Sequence, residues 1–518
     1  MTDQNLSRPV SISSFNRIIS SMLGFFRDLI WAQLFGANGY FDAFIISSHL
    51  SSFISYVISE AGITRAFIPM LSEKQMKVNE GAVKQFISHV SALLFLIVVM
   101  IAILSVIFSP EIISLFAPGI TSVNKNLTVT LFQILAISIA FGAFSSLASA
   151  ILNVYGNFGI PSLMSIVLNL CIILACLCLV HFFSVPVYAA VLGILVGNIL
   201  QLLLQFPSLV KKGLLVPLKF NFFDKDIKKL FRLIFPALLG VSIMQFGVLI
   251  DFIFASYLKQ GNITWLYFST RLMELPINVF GVAIATVILP QLGRNHADEN
   301  EIDYNRVMNW SIRMTLLFSI PAAAGLFFLA GPIVITLFNH GEFTYHDTLM
   351  TMSSARAFSF AIVGFMLIKV FSSGFYAKRH LGFVGMISAI GVLTNVVFNF
   401  LLVSKFQHVG LAMSTSISAI VTAICLLFGL IKKKYYRPSP DLLPHLFKIS
   451  FSTGAMILAL FFLTPHFSVW IRMGVEWRIM HLCSEILVAA VSYLVLLKFF
   501  RFRFKLGFIK IEEESSVY

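Results

Sequence analysis

Long apolar stretches, separated by short polar connections, run along the whole chain. Each is close to the roughly 20 residues that a helix needs to cross a bilayer, so the pattern predicts an all-α polytopic membrane protein. We predict fourteen spans, at 10–35, 40–60, 86–109, 128–154, 161–183, 185–208, 233–257, 265–290, 310–330, 352–377, 381–403, 408–431, 447–464 and 482–500. Two further apolar stretches, 110–119 and 331–341, are too short to cross and predict interfacial or re-entrant segments at equivalent places in the two halves.

Composition agrees with this interpretation and excludes a water-soluble enzyme. Of the 518 residues, 58% are hydrophobic and 12% are charged, whereas roughly 25% of the residues of a soluble domain are charged. Fourteen helices of about 20 residues would fill more than half of the chain and leave no room for a large soluble domain. The five cysteines lie in or beside apolar segments, so neither a disulfide framework nor a zinc site is indicated.

Basic residues are concentrated on one side of the predicted topology. With the N-terminus in the cytoplasm, the loops on that side and both termini carry most of the 37 Lys and Arg. The opposite loops carry five, namely Lys125, Lys259, Lys405, Arg472 and Arg478. Because cytoplasmic loops are enriched in Lys and Arg, both termini are predicted to be cytoplasmic. The net charge of +14 is then loop charge, and no nucleic-acid partner is expected.

The chain also repeats itself at a spacing near 221 residues. The segment 67–71 resembles 288–292, Tyr155 matches Tyr376, and 28–32 resembles 251–255. Because six spans are an even number, both copies enter the membrane in the same orientation, which predicts two parallel six-helix lobes able to rock about a central cavity. We predict an N-terminal lobe at 1–232, a C-terminal lobe at 233–440, and two further helices with a cytoplasmic tail at 441–518.

Several charged residues fall inside predicted spans, where each costs about 2.5–3.5 kcal/mol on insertion scales. Arg27 and Asp28 are expected to pair structurally with a neighbouring helix. Arg271 and Glu274 are three residues apart and share a helix face, so Glu274 is expected to hold the guanidinium. Arginine stays charged at low dielectric and binds phosphate oxygens bidentately. Arginines in spans 1 and 8 therefore predict an anionic substrate, a phosphate or pyrophosphate.

Five short runs in the first two spans carry a family resemblance: Gly24-Phe25-Phe26-Arg27-Asp28, Phe35-Gly36-Ala37, Asp42-Ala43-Phe44, Glu60-Ala61-Gly62 and Ala66-Phe67-Ile68-Pro69. They resemble the amino-terminal signature of the MurJ (MviN) lipid II flippases, a family of the multidrug/oligosaccharidyl-lipid/polysaccharide exporter superfamily. The resemblance continues in 271–276, 364–370 and 374–377 and covers essentially the whole chain.

This resemblance implies a transporter without catalytic residues, which acts as a monomer in the bacterial inner membrane. It implies fourteen helices, a central cationic cavity, and a groove beside the last two helices for a polyprenyl tail. The implied substrate is lipid II, the undecaprenyl-pyrophosphate-linked disaccharide-pentapeptide of peptidoglycan. Alternating access would move its headgroup from the cytoplasmic to the periplasmic leaflet.

The family carries cavity arginines in helices 1, 2 and 8, and this chain matches only the last, at Arg271. Ser21 and Ser55 hold the other two positions. We expect Arg17, one turn before Ser21, to supply the helix-1 charge, and His49 is the only cationic stand-in in helix 2. The expected substrate-binding residues are Arg17, Ser21, Arg27, Asp42, Ser55, Glu60, Arg271 and Glu274.

Some family members hold a sodium ion between helices 7, 11 and 12. Asp251, Asn395, Asn399 and Thr415 fall at similar places. One carboxylate with neutral oxygens suits a hard monovalent cation, but asparagines also form helix–helix hydrogen bonds. No firm metal site and no cofactor are predicted. A coupling ion, Na⁺ or H⁺, and the membrane potential remain alternative driving forces.

Three other functions are compatible with parts of the sequence. One is another exporter of the superfamily, such as an O-antigen-type flippase or a drug/sodium antiporter. A second is a membrane glycosyltransferase, supported by the D-x-D run Asp224-Lys225-Asp226. The third is a scaffold without transport activity, against which the buried charges argue. ATP hydrolysis is excluded because no Walker-type phosphate loop is present.

Overall fold

The computed structural model describes residues 4–77, 79–221, 224–298 and 300–500, with side chains from residue 15 onward except 237 and 239–246. Within these ranges the chain is helical and contains no strand. The helices are α1 (Gln4–Phe35), α2 (Gly39–Val57), α3 (Ile68–Lys77), α4 (Glu80–Ile107), α5 (Ser109–Phe116), α6 (Ser122–Val154), α7 (Gly159–Leu179), α8 (Val187–Lys211), α9 (Lys225–Ser256), α10 (Asn262–Pro276), α11 (Val282–Ala297), α12 (Glu301–Leu337), α13 (Tyr345–Ala377), α14 (Leu381–Lys432), α15 (Leu442–Leu463), α16 (Phe467–Arg472) and α17 (Val475–Phe499).

Twelve helical stretches of the described chain are long and apolar enough to cross a membrane. This confirms the all-α polytopic fold. The count of fourteen stays a prediction. Two predicted spans, 381–403 and 408–431, lie together in the 52-residue α14, whose backbone breaks at Gln407 with φ 51° and ψ −129°. The 32-residue α9 covers the predicted seventh span.

The two short apolar stretches do not behave alike. The first forms α5, a separate eight-residue helix. The second was expected to be its equivalent, and this is wrong: α12 continues without a break to Leu337 and contains Pro321 and Pro332. Proline is tolerated inside membrane helices because neighbouring groups satisfy the backbone carbonyls that it frees.

The residues form two compact units. Unit 1 comprises Met1–Leu272, Leu337–Phe358 and Gly382–Thr422, and unit 2 comprises Met273–Thr336, Ser359–Leu381 and Ala423–Tyr518. The core of unit 1 includes Phe67, Leu71 and Phe86, which are almost fully buried among the helices α3, α4, α6 and α9. In unit 2, α12 packs with α15 and α17 through residues such as Leu317 and Met456. The division into lobes at 232 and 440 stays a prediction.

Helix ends agree with the repeat seen in the sequence. After α6, the chain turns with Gly156 at φ 76°, and Asn157 N–H donates to Leu152 O. After α13, the same hydrogen bond runs from His380 to Phe375 O. The ends of α8 and α14 match in the same way, through Leu214 to Leu209 O and Tyr435 to Leu430 O. Each is a left-handed cap that satisfies helix carbonyls.

Two more features recur at matching positions. Ser47 donates to Thr128 O at 2.9 Å, and Ser269 donates to Thr351 O at 2.8 Å. A π-helical segment also follows the second long helix of each copy, Ile58–Phe67 after α2 and Ile277–Gly281 after α10. Shared caps, serine contacts and π segments support a duplicated six-helix fold.

Candidate functional site

A cluster of two arginines around one carboxylate lies within unit 1. Asp28 of α1 accepts hydrogen bonds at Oδ1 from Arg27 Nη2 at 2.8 Å and from the Tyr267 hydroxyl at 3.0 Å. Its other oxygen, Oδ2, lies 3.3 Å from Nε of Arg271 in α10. Arg271 Nη2 also donates to the Tyr267 hydroxyl at 3.2 Å. The arginines predicted in spans 1 and 8, Arg27 and Arg271, thus both contact Asp28.

In this cluster two guanidinium groups contact a single carboxylate. Asp28 is buried, and a buried carboxylate is tolerated only when it is paired and hydrogen-bonded. Two guanidinium groups share its single negative charge. The Arg27 guanidinium also lies 4.3 Å from the Trp31 ring centre and donates to Asn169 Oδ1 of α7 at 3.0 Å. Arg271 retains 32% exposure of its side chain and therefore has a surface for a ligand.

Arg27 and Asp28 do engage neighbouring helices, through Asn169 of α7 and Arg271 of α10. Within unit 1, Arg271 forms an ion pair with Asp28, which the sequence did not indicate. The proposed support from Glu274 stays a prediction.

A cavity of about 240 Å³ adjoins the cluster, and its lining includes His49, Ser52 and Tyr56 of α2 and Val248 of α9. The His49 ring lies 6.1 Å from the ring of Tyr267, the residue that binds Asp28 and Arg271. Pockets for drug-sized ligands usually measure about 300–1,000 Å³. This cavity therefore has room for a small group such as a phosphate, and His49 is placed beside it as the sequence suggested.

Asp42 has a different environment from the one predicted for a substrate ligand. It is buried and accepts hydrogen bonds from Gly261 N at 2.6 Å, Thr264 N at 2.9 Å and the Thr264 hydroxyl at 2.7 Å. The amide groups at the start of a helix carry partial positive charge, which a carboxylate stabilises. Asp42 thus caps α10 from α2, and its predicted contact with substrate stays a prediction.

The other predicted substrate residues do not join the cluster. Glu60 pairs with Arg65 at 3.2 Å inside the π-helical segment after α2. Arg17 and Ser21 are exposed on α1, where the Ser21 hydroxyl donates to Arg17 O at 3.0 Å. At 1.5 Å per residue, Arg17 lies about 15 Å along the helix from Arg27. Ser55 is half-buried. The roles of these residues stay predictions.

The four residues proposed for a cation come together. Asn399 Nδ2 donates to Asp251 Oδ1 at 2.8 Å and to Asn395 Oδ1 at 3.0 Å. Asn395 Nδ2 donates to the Thr415 hydroxyl at 3.3 Å, and that hydroxyl lies 3.5 Å from Asp251 Oδ2. Asp251 comes from α9 and the other three from the two segments of α14.

In this arrangement a cation could replace the Asn399 N–H group as the partner of the Asp251 carboxylate. In the structure the Asn399 Nδ2 group faces the Asp251 carboxylate. The buried Oδ1 of Asn399 has no hydrogen-bond partner among the described residues. Rotating the amide by 180° exchanges its oxygen and nitrogen without moving other atoms. That rotation would turn an oxygen toward Asp251, which is favourable when a cation lies between them or when Asp251 carries a proton.

The D-x-D run has both carboxylates engaged by basic groups. Asp224 caps α9 and contacts His89 Nδ1 at 2.7 Å, and Asp226 pairs with Lys74 at 2.7 Å. Burial raises the pKa of Asp224, but the Asp226 N–H, His89 and Lys74 outweigh burial and lower it overall. No group of three His, Cys, Asp or Glu side chains in the described ranges could hold a metal. The run therefore ties α3 and α4 to the start of α9.

Sequence reasoning missed the neutral members of the cluster. Tyr267 lies one turn before Arg271 and therefore on the same helix face, and this spacing was the available signal. Asn169 carries no charge, so the insertion-cost argument that singled out Arg27 could not find it.

An internally repeated bundle of membrane-spanning helices with a buried cationic cluster beside a cavity defines a polytopic membrane transporter. A sequence model of the lipid II flippase MurJ family matches residues 31–481. The chain belongs to this family. It is 34% identical to the probable lipid II flippase MurJ of Haemophilus influenzae, over 92% of this chain and 96% of the relative. It is 31% identical to the lipid II flippase MurJ of Burkholderia cenocepacia, over 88% and 89%.

Solved structures agree with this assignment. A lipid II flippase MurJ in an inward closed conformation matches with a TM-score of 0.79 and 26% identity, covering 94% of this chain and 98% of that one. An inward-facing multidrug resistance MATE transporter matches with a TM-score of 0.69 at 15% identity, covering 80% and 94%. The second match concerns the fold alone.

Proposed function

We propose that this protein flips lipid II from the cytoplasmic to the periplasmic leaflet of the bacterial inner membrane by alternating access, with both termini in the cytoplasm. The observation that carries the proposal is the shared carboxylate of Asp28 between Arg27 and Arg271. The relatives named lipid II flippase support the choice of substrate.

The cluster suits a pyrophosphate. A guanidinium presents parallel N–H donors that match two phosphate oxygens, and such charge-assisted hydrogen bonds are about twice as strong as neutral ones. Asp28 holds both arginines in place but balances only one of their charges. An incoming diphosphate would contact these two guanidinium groups, and Arg271 is the more exposed of the two arginines.

Alternating access requires one end of the cavity to be closed, and several contacts within unit 1 support such an end. Gly119 N donates to the Ser256 hydroxyl at 3.1 Å, and Glu342 N donates to Gln33 O at 2.9 Å. Each joins a residue of the predicted N-terminal lobe to one of the C-terminal lobe, as does the Asp42 cap on α10. By the predicted topology this closed end faces the periplasm.

We further propose that a monovalent cation, Na⁺ in preference to H⁺, binds at Asp251 and couples to flipping. One carboxylate among amide and hydroxyl oxygens offers the hard, weakly charged ligand set that an alkali cation takes. Binding would require the Asn399 amide to turn, so occupancy and side-chain arrangement are linked.

The decisive experiment is rescue of a strain depleted of its lipid II flippase. The unmutated chain is expected to restore growth and Arg271→Ala to fail at equal expression. Arg306→Ala is the matched control, because Arg306 forms an exposed pair with Asp303. Failure of the unmutated chain, when it is present in the membrane, would contradict the proposed substrate. Rescue by Arg271→Ala would contradict the proposed site.

A further inference from the structure

The two copies of the repeat differ at the residues that end their helices. The cap after α6 uses Gly156 at φ 76°, and the cap after α8 uses Gly213 at φ 62°. In the second copy, the cap after α13 has Arg379 at φ 60° and the cap after α14 has Lys434 at φ 59°. The same backbone conformation is thus held by glycine in one copy and by a basic residue in the other.

Glycine is the residue that this conformation favours, because a Cβ in the left-handed region approaches the following carbonyl oxygen. A basic residue there is strained, and strain of this kind collects at functional positions. The general enrichment of Lys and Arg in cytoplasmic loops does not explain it, since a neighbouring position would supply the same charge without strain. We therefore looked for what each of these two basic residues contacts.

Arg379 lines a cavity of about 450 Å³ within unit 2. Its lining includes Gly293 and His296 of α11 and Tyr376 of α13. A Cβ added at Gly293 would meet nothing within 4 Å, so this wall is open. Lys434 is not among the residues that line the cavity. The two strained basic residues are alike in backbone and charge but differ in this respect.

The residues on either side of Arg379 in sequence have polar partners, whereas Arg379 forms no ion pair with an acidic side chain of the described residues. Lys378, next to Arg379, is buried and pairs with Glu301. His380 on the other side is held by the Tyr435 hydroxyl at 2.6 Å. Within the described ranges, no acidic side chain pairs with Arg379. The cavity wall thus presents a guanidinium and an imidazole between two side chains that are already engaged.

We propose that this cavity binds a phosphate group, supplied by the headgroup of an anionic phospholipid in the cytoplasmic leaflet. Basic pockets between membrane helices on this side are where such headgroups bind, and the helix ends place Arg379 at that surface under the proposed orientation. The guanidinium takes two phosphate oxygens, and His296 donates a further hydrogen bond. The site shares no residue with the Asp28 cluster.

The test measures binding by the purified full chain in detergent, with short-chain phosphatidylglycerol, phosphatidylcholine and inorganic phosphate as the three probes. Arg379→Gly removes the charge and relieves the backbone, so the variant folds at least as well as the parent. Lys434→Gly is the matched control, with the same relief and no contact with the cavity.

Phosphatidylglycerol is expected to bind more tightly than phosphatidylcholine, and Arg379→Gly to weaken that binding about fivefold. Lys434→Gly is expected to leave it unchanged. Equal binding of phosphatidylglycerol by Arg379→Gly and the parent overturns the site. An equal loss of binding in Lys434→Gly also overturns it, because the effect would then come from the general positive charge of the loops. If inorganic phosphate displaces phosphatidylglycerol at concentrations similar to those at which the lipid binds, the cavity is a phosphate site but the proposal of a lipid headgroup is overturned. None of these measurements involves flipping, so they stand apart from the rescue experiment.

Discussion

Asp28 and Arg271 lie 3.3 Å apart, from Oδ2 to Nε, and join the first helix to the tenth. Arg27, next to Asp28 in sequence, approaches the same carboxylate from the other side at 2.8 Å. One acid between two bases fixes the geometry of both guanidinium groups. This relationship is the basis for the first two predictions.

Replacing Asp28 with Asn is expected to destabilise the protein. Two guanidinium groups would face each other without an acid, and breaking a buried ion pair costs about 3–5 kcal/mol. The thermal unfolding midpoint in detergent should fall clearly below that of the parent. Asp303→Asn, at an exposed pair with Arg306, should change stability by less than about 1 kcal/mol. Equal midpoints for the two variants would mean that Asp28 does not hold the cluster together.

Arg271→Lys tests whether shape matters as well as charge. Lysine keeps the positive charge but lacks the planar donor pair that matches a phosphate. Losing one charge-assisted hydrogen bond of about 1.5 kcal/mol corresponds to about tenfold weaker binding. Lipid II translocation in proteoliposomes should fall by that order, while Arg306→Lys should behave as the parent. A fully active Arg271→Lys variant would reduce the role of Arg271 to that of a point charge.

Gly119→Ala is expected to open the end of unit 1 that carries the interlobe contacts. An added Cβ would lie 2.6 Å from Ser256 O, a backbone atom that cannot rotate away. A cysteine replacing the buried Ile263 should then react faster with a membrane-impermeant maleimide added from the periplasmic side. Gly62→Ala, where a Cβ meets nothing within 4 Å, is the matched control. Unchanged labelling in Gly119→Ala would argue that this end does not move.

Sodium should stabilise the protein in detergent relative to potassium. A ligand at 100 times its dissociation constant adds about 2.7 kcal/mol to stability. Asp251→Asn should abolish the difference between the two ions, since Asp251 is the one carboxylate among the four proposed cation ligands. The same difference in parent and variant would place sodium binding elsewhere, and no difference in the parent would exclude a sodium site.

Acid stability should depend on Asp224. Its pKa is lowered in the folded protein, so the ionised form stabilises the fold at higher pH. That stabilisation is lost as pH falls through the lowered native pKa, below the ordinary value of about 3.9. Asn is as good a helix cap as Asp, so Asp224→Asn removes only the charge. The parent should lose more stability than the variant between about pH 5 and pH 3. Parallel curves would contradict a role for the carboxylate.

Much of the fold follows from sequence because apolar length is a local property. The spans could be read from single stretches, and the repeat from matched segments. The continuation of α12 through Pro332 could not, since it depends on neighbouring helices that satisfy freed carbonyls. The π-helical segments before α3 and α11 were also not foreseen.

For the site, a charged residue inside a span is visible as an energetic cost, and this identified Arg27, Asp28, Arg271 and Asp251. What each charge binds depends on helices that are distant in sequence. For Asp42 only the charge was visible in the sequence, and its capping of α10 could not be inferred from it. Tyr267 and Asn169, which are neutral, gave no such signal.

Asp28 and Asp251 stand at corresponding places in the two halves, yet one is surrounded by guanidinium groups and the other by amides and a hydroxyl. A single inherited carboxylate has thus acquired opposite neighbours. Asp28 is paired with arginine side chains of the protein itself. The hydrogen-bond partners of Asp251 are neutral. Duplication followed by divergence in these surroundings would let one protein attract an anion beside the first carboxylate and a cation at the second.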